Sequence, residues 1–216
     1  MEYGYGNWLM VLVSIILFLF FIKSAFKPKT KTDWRTFRMF GAFIVALFTE
    51  MYGFPLTIYL LTSLFGNRFN IDFTHNSGHL LEDLLGIKGD PHFSLFHILS
   101  NLLIIGGLLL IVSAWKVLYK SQKEDKLAVS GAYHYIRHPQ YAGFILIIAG
   151  FLLQWPTLIT LIMAPILIGR YIRLGKDEEK AVFKKFGSKY TVYKIETPAY
   201  IPSIKMLSID LLKRFT

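Results

Sequence analysis

Residues 139–169 read PQYAGFILIIAGFLLQWPTLITLIMAPILIG, 31 residues without one acidic or basic side chain. As a single helix this stretch would measure about 46 Å, well over the roughly 30 Å of a bilayer's hydrocarbon core. As two full spans it would need about 40 residues, which it lacks. Near its middle stands Gln154-Trp155-Pro156, and the proline ring both clashes with the preceding turn and removes a backbone donor. The stretch therefore predicts a helical hairpin turning at Pro156, with both ends returned to one membrane face. Those ends carry dense polar chemistry. Tyr133-His134-Tyr135-Ile136-Arg137-His138 precedes the hairpin, and Tyr171-Ile172-Arg173-Leu174-Gly175-Lys176-Asp177-Glu178-Glu179 follows it. The fold expectation is that Arg137 and His138 meet Arg173, Glu178 and Glu179.

Outside the hairpin, three further apolar regions appear. Tyr3–Ile22 has no charge, Met39–Asn67 is interrupted only by Glu50, and Ser94–Trp115 only by His97. With 54% hydrophobic and 16% aromatic residues, the chain reads as an all-α integral membrane protein of one domain, residues 1–216. About five transmembrane helices are expected: three within residues 1–115, then the hairpin pair within a C-terminal segment, residues 131–202. The first helix lacks a basic flank and an A-x-A cleavage pattern, so it is expected to stay as a membrane helix. There is no cysteine, which excludes disulfides, cysteine-based metal sites and cysteine nucleophiles.

Orientation follows from lysine and arginine in the connections. Segment 23–38 has six, segment 66–93 two against four acids, segment 116–137 five, and Arg170 onward eleven. The alternation places the N-terminus outside and the C-terminus in the cytoplasm, but only if residues 139–169 double back. The net charge of +10 reads as anchoring to anionic membrane lipid rather than to nucleic acid, because the cations line membrane ends and interleave with acids. Residues 176–193 have the spacing of an amphipathic cytoplasmic helix: Val182, Phe183, Phe186, Tyr190 and Tyr193 share one side, and Gly187 is a break point. Residues 119–131 read as a polar connection, and a short helix is plausible around His79–Leu85.

The ordered pattern Gly131-x-Tyr133-x-x-x-Arg137-His138-Pro139-x-Tyr141-x-Gly143, the apolar hairpin, and Arg173-x-x-x-x-Glu178-Glu179 resembles the isoprenylcysteine carboxyl methyltransferase family. Phe186-Gly187-x-x-Tyr190-x-x-Tyr193 and Thr197-Pro198-x-x-Ile201-Pro202 extend the likeness, which also reaches the phospholipid N-methyltransferases. The resemblance implies S-adenosylmethionine as cofactor, and a lipophilic acceptor bearing a carboxylate, of prenylcysteine type in some relatives, or an amine. S-adenosylmethionine presents a sulfonium, an amino group, a carboxylate and ribose hydroxyls, so its site needs carboxylates, cationic donors and an aromatic wall. Glu178 and Glu179 suit the ribose or the amino group. Arg137, His138 or Tyr141 suits the cofactor's carboxylate, Gly143 permits close backbone approach, and Pro139 and Tyr190 complete the expected binding set. Arg173 offers a two-pronged donor for a carboxylate of cofactor or substrate, and with Glu178 forms the expected catalytic pair.

A soluble methyltransferase would need a glycine-rich turn between strand and helix, and Gly4-x-Gly6 has no strand before it. A membrane reductase of sterol-reductase type, using NADPH, is the alternative reading, since such enzymes share the closing layout. A non-catalytic membrane protein with a metal- or partner-binding outer loop is the other. His75, His79, Glu82, Asp83, Asp90 and His92 would form that loop's metal set, although capping and loop hydrogen bonds explain them as well, and no metal is expected. Glu50 is an intramembrane carboxylate with two readings open: a direct role toward the substrate, or a protonated group bonded to a neighbouring helix, for instance at Ser100 or Asn101.

Overall fold

The computed structural model describes residues 5–26, 28, 30–65, 81–82, 85–87 and 93–203. Every regular element among them is helical. The helices are α1 (Trp8–Phe26), α2 (Lys31–Phe48), α3 (Leu56–Phe65), α4 (Leu95–Lys123), α5 (Ala132–Tyr135), α6 (Pro139–Gln154), α7 (Leu158–Phe186) and α8 (Ser188–Glu196). Three of them, α1, α4 and α7, are long and apolar enough to cross a membrane, while α6 is apolar but shorter. Packing divides the chain into two compact units, residues 1–105 with 147–168 and residues 106–146 with 169–216. The division falls inside α4, α6 and α7.

In the first unit, aromatic rings fill the interior. Phe18 of α1 lies 6.2 Å from Phe40, 6.1 Å from Phe48 and 5.5 Å from Phe151, ring centre to ring centre. Such pairs add about 0.5–1.5 kcal/mol each beyond the area they bury. A capping box starts α2: Asp33 N donates to Thr30 Oγ1 at 3.1 Å, and Thr30 N donates to Asp33 Oδ2 at 2.8 Å. Where α6 passes α4, Gly150 is required, because a methyl group there would stand 2.9 Å from the Ser100 carbonyl oxygen.

The apolar region 39–67 is not one continuous helix. After Phe48 the helix widens into a π-helical turn, Thr49–Gly53, and stops at Pro55. The carbonyls left without donors where this helix ends are met by an earlier segment: Gly6 N reaches Gly53 O at 2.8 Å, and Asn7 N reaches Tyr52 O at 3.0 Å. Glu50 sits at this break, 4% exposed. Its Oε2 accepts from Thr57 N at 2.9 Å, so its partner is the next helix's first turn rather than Ser100 or Asn101. Ser100 donates instead to Gln154 Oε1 at 2.9 Å, and Gln154 Nε2 lies 3.2 Å from His97 Nε2.

The hairpin turn expected at Pro156 is present and buried. Trp155, Pro156 and Thr157 are all inaccessible, so their polar backbone must be satisfied from within. Thr157 N donates to Thr160 Oγ1 and Thr160 N to Thr157 Oγ1, each at 3.1 Å, and Leu158 N donates to Thr57 Oγ1 at 2.8 Å. Threonine hydroxyls thereby cap the first turn of α7.

In the second unit the beginning of α6 returns against the middle of α7. Tyr171 stacks on Tyr141 at 5.7 Å and on Phe144 at 5.6 Å, and all three rings are fully buried or nearly so. Two expectations are corrected here. The amphipathic segment is not separate, because α7 runs unbroken from Leu158 to Phe186 despite Pro165. Only at Gly187, with φ of +53°, does the chain turn into α8. Likewise α4 continues to Lys123, shortening the connection expected from residue 119. The outer-loop set His75, His79, Asp83, Asp90 and His92, and most of its proposed helix, lies outside the described residues.

Candidate active site

Pro139 lacks a backbone N–H, which suits it to the first turn of α6 and leaves the preceding residues extended. Arg137 and His138 occupy that extended stretch, and a returning strap clips onto them. Arg137 N donates to Pro198 O at 2.8 Å and His138 N to Ala199 O at 3.0 Å. The Arg137 guanidinium then reaches Glu179 Oε1 twice, through Nε and Nη2, each at 2.9 Å. Its Nη1 donates to Lys194 O at 3.0 Å and to Thr197 O. His138 Nε2 stands 3.1 Å from the same Glu179 oxygen, and Lys194 Nζ holds Glu179 Oε2 at 2.8 Å. With side-chain exposures of 13% for Arg137 and 11% for Glu179, this pair is largely desolvated. Removing one member of such a pair costs about 3–5 kcal/mol, because the other charge stays buried.

Burial pushes the His138 imidazole below its ordinary pKa, against an opposing pull from Glu179. A neutral ring at pH 7 must carry its hydrogen on Nε2 to donate to Glu179, which leaves Nδ1 as an acceptor. Glu178 has different partners. Tyr141 donates to its Oε1 at 2.6 Å and Gln140 Nε2 approaches its Oε2 at 3.4 Å. Gln140 in turn accepts from the Tyr133 hydroxyl at 2.8 Å, and Tyr193 donates to Tyr133 O at 2.7 Å. Glu178 keeps a side chain that is 34% exposed, whereas Glu179 is saturated. Two adjacent carboxylates therefore do different work: Glu179 organises cations, and Glu178 binds Tyr141 and Gln140.

Tyr200 completes the arrangement. Its ring stacks on His138 at 5.2 Å with 26° between planes, and its hydroxyl points at Ile172 O and Tyr171 O, 3.4 and 3.5 Å away. Gly175 makes room for both rings: a methyl group there would lie 2.4 Å from the Tyr200 hydroxyl and 3.2 Å from the His138 ring. The Tyr190 and Tyr200 phenols are each pushed up to about 12, chiefly by burial, so both remain protonated at neutral pH.

Against this cluster lies a cavity of about 730 Å3. Arg137, His138, Glu179 and Tyr190, all expected from the sequence, form part of its wall. Other expected residues stand elsewhere. Tyr141 and Glu178 bind one another behind the wall, and Pro139 starts α6. Gly143 faces α4, where a methyl group would come within 2.8 Å of the Gly107 carbonyl oxygen, so the close approach it permits is to a helix. Arg173 is exposed on α7 and is not part of the wall. Sequence reading missed Lys176, Lys180, Lys194 and Tyr200, which do line it. The signal for Tyr200 was present in Thr197-Pro198-x-x-Ile201-Pro202, a motif quoted without a role for its inner residues.

The wall thus combines cations, a carboxylate and the aromatic rings of Phe183, Tyr190 and Tyr200. It is within the size range of small-molecule sites, and its chemistry suits a ligand carrying charges of both signs. Among the described residues no group of three or more histidines and acids is placed to hold a metal ion. Residues 94–184 match the model of the Isoprenylcysteine carboxyl methyltransferase (ICMT) family. The match contains Arg137, His138, Glu178 and Glu179. No curated protein matches the chain.

Proposed function

We propose, on the premise that residues 94–184 form an isoprenylcysteine carboxyl methyltransferase domain, that this protein methylates a lipophilic acceptor using S-adenosylmethionine bound in the 730 Å3 cavity. The observation that carries the reading is the single hub at Glu179, which gathers Arg137, His138 and Lys194 at the edge of that cavity. The cofactor, when bound, supplies an electrophilic methyl group on a sulfonium. The donor set fits it: aromatic faces suit the sulfonium and Lys180 suits the carboxylate.

The chain's own contribution is positioning and exclusion of water. Glu179 works indirectly, holding Arg137 and His138 in place. His138 turns its ring against Tyr200, whose own position is fixed by the strap from Thr197 to Tyr200. An acceptor carboxylate or free amine brings its own lone pair, so no protein base is required for transfer. Glu178, bonded to Tyr141 and Gln140 and off the cavity wall, is assigned no step. Arg173, exposed and off the wall, receives no step. The acceptor belongs to the lipophilic carboxylates, of prenylcysteine type, or to lipophilic amines. The cytoplasmic face is favoured by the lysines and arginines flanking the site.

Radiolabelled S-adenosylmethionine should bind the detergent-solubilised protein, and His138→Ala and Glu179→Ala should each weaken binding at least tenfold. Full binding by both variants would remove the site. Transfer of label to prenylcysteine analogues and to lipophilic amines, offered separately, would then decide the acceptor.

A further inference from the structure

Arg170, Arg173 and Lys176 recur every three residues along α7, which places them as neighbours on one side of the helix. All three are exposed. Among the described residues none of them has a hydrogen bond or an ion pair, in contrast to the cations around them. Asp177, the acid nearest in sequence, is held by Lys180 at 3.1 Å. The helix preceding them is uncharged from Leu158 to Gly169, and Ile159, Ile162, Ile166 and Gly169 are exposed on the same side. One face of one helix therefore passes from bare aliphatic side chains to three unneutralised cations.

We propose that Arg170, Arg173 and Lys176 bind the phosphodiester of an anionic phospholipid whose acyl chains lie along this face of α7. Side chains three apart on a helix have Cβ atoms about 5–6 Å from one another, close enough for two guanidinium forks to share one phosphate. Arginine's planar donors match that geometry, and Lys176 adds a point charge on the next turn. A headgroup with its own ammonium would set that cation against three others, so the site selects net negative charge. Lys176 also lines the large cavity, which puts the lipid at the cavity's rim. This assignment gives Arg173 a role that its absence from the cavity wall leaves open, and it holds whatever acceptor is methylated.

The test uses full-length protein in nanodiscs of phosphatidylcholine with a minor fraction of phosphatidylglycerol, released gently into a mass spectrometer to count retained lipids. Phosphatidylglycerol should be retained in preference to phosphatidylcholine. The preference should fall by about fivefold for each cation removed, the ratio corresponding to roughly 1 kcal/mol per basic residue at an anionic surface. Arg170→Gln/Arg173→Gln should thus lose most of it. Lys184→Gln/Lys189→Gln, an equal charge change at exposed positions of α7 and α8, should alter it less than twofold. Equal losses in both pairs would reduce the effect to general surface charge and overturn the site. So would retention of phosphatidylcholine as strong as that of phosphatidylglycerol. Displacement of the lipid by millimolar inorganic phosphate at constant ionic strength would also overturn it, by showing that the acyl chains contribute nothing.

Discussion

Gly175→Ala tests the geometry of the cavity most directly. The added methyl group would sit 2.4 Å from the Tyr200 hydroxyl and 3.2 Å from His138 Cε1 and Nε2, so both rings must retreat. Overpacking of this kind costs about 1–3 kcal/mol. Replacing glycine by alanine in a helix interior returns about 1 kcal/mol through backbone entropy. The net stability loss is therefore about 0–2 kcal/mol, and the protein still folds. The ligand meets a different balance, because Tyr200 and His138 both line its cavity and must be pushed back into place as it binds. If the 1–3 kcal/mol is charged to binding, the dissociation constant rises roughly 5- to 150-fold. Isothermal titration with S-adenosylhomocysteine measures this, with melting temperature as the folding control. Gly169→Ala is the companion variant: it lies on the same helix with open space around it and should bind like the wild type. An unchanged dissociation constant in Gly175→Ala would show that the stacked rings do not shape the ligand's site.

Glu50→Leu should lower stability by about 1–3 kcal/mol, since Thr57 N loses its buried acceptor, while Glu50→Gln keeps an acceptor and should lose less than half as much in a thermal melt. Gly143→Ala drives a methyl group against Gly107 O and Ile111, backbone that cannot rotate away, so it should cost about 1–3 kcal/mol, whereas Gly106→Ala on the opposing helix meets open space and should cost nothing. His138 binds a proton less readily folded than unfolded, so its contribution is fully present above the ordinary histidine value of about 6.5. That contribution is lost as pH falls from 6.5 toward the depressed folded value, and melting curves between pH 7.5 and 5.5 should show a steeper decline in the wild type than in His138→Asn. Glu179→Gln should cost about 3 kcal/mol and weaken cofactor binding, since Arg137 and Lys194 would face a neutral amide.

The hairpin was legible because length and a single proline left few solutions, and its turn indeed falls at Trp155–Thr157. Bringing residues 137–138 against 178–179 followed from that turn alone. The break after Phe48 was hidden, because Glu50 and Pro55 sit among residues as apolar as any span, and the fold's answer depends on distant donors at Gly6 and Asn7. Composition cannot announce such a partner. The unbroken course of α7 was also hidden. Its charge pattern changes at Arg170, which reads as a boundary, yet polarity reports the surroundings of a helix and not its continuity. Assigning Gly143 to a ligand failed for a related reason, since small size allows close approach without naming what approaches. Tyr200 and Lys194 lie more than fifty residues from Arg137 and His138, so a motif that stops at the hairpin's first mouth does not point to them.

The strap from Lys194 to Tyr200 sets a timetable for biogenesis. Arg137 finds its acceptor on Thr197 across 60 residues, and His138 finds its stacking ring on Tyr200. At ribosomal speeds of roughly 5–20 residues per second, about 3–13 s separate synthesis of Arg137 from that of Tyr200. During that interval the nascent chain already has its greasy arms but not the strap that completes the cavity wall. A chain ending just short of Thr197 would therefore carry the apolar hairpin without the strap that closes on Arg137 and His138.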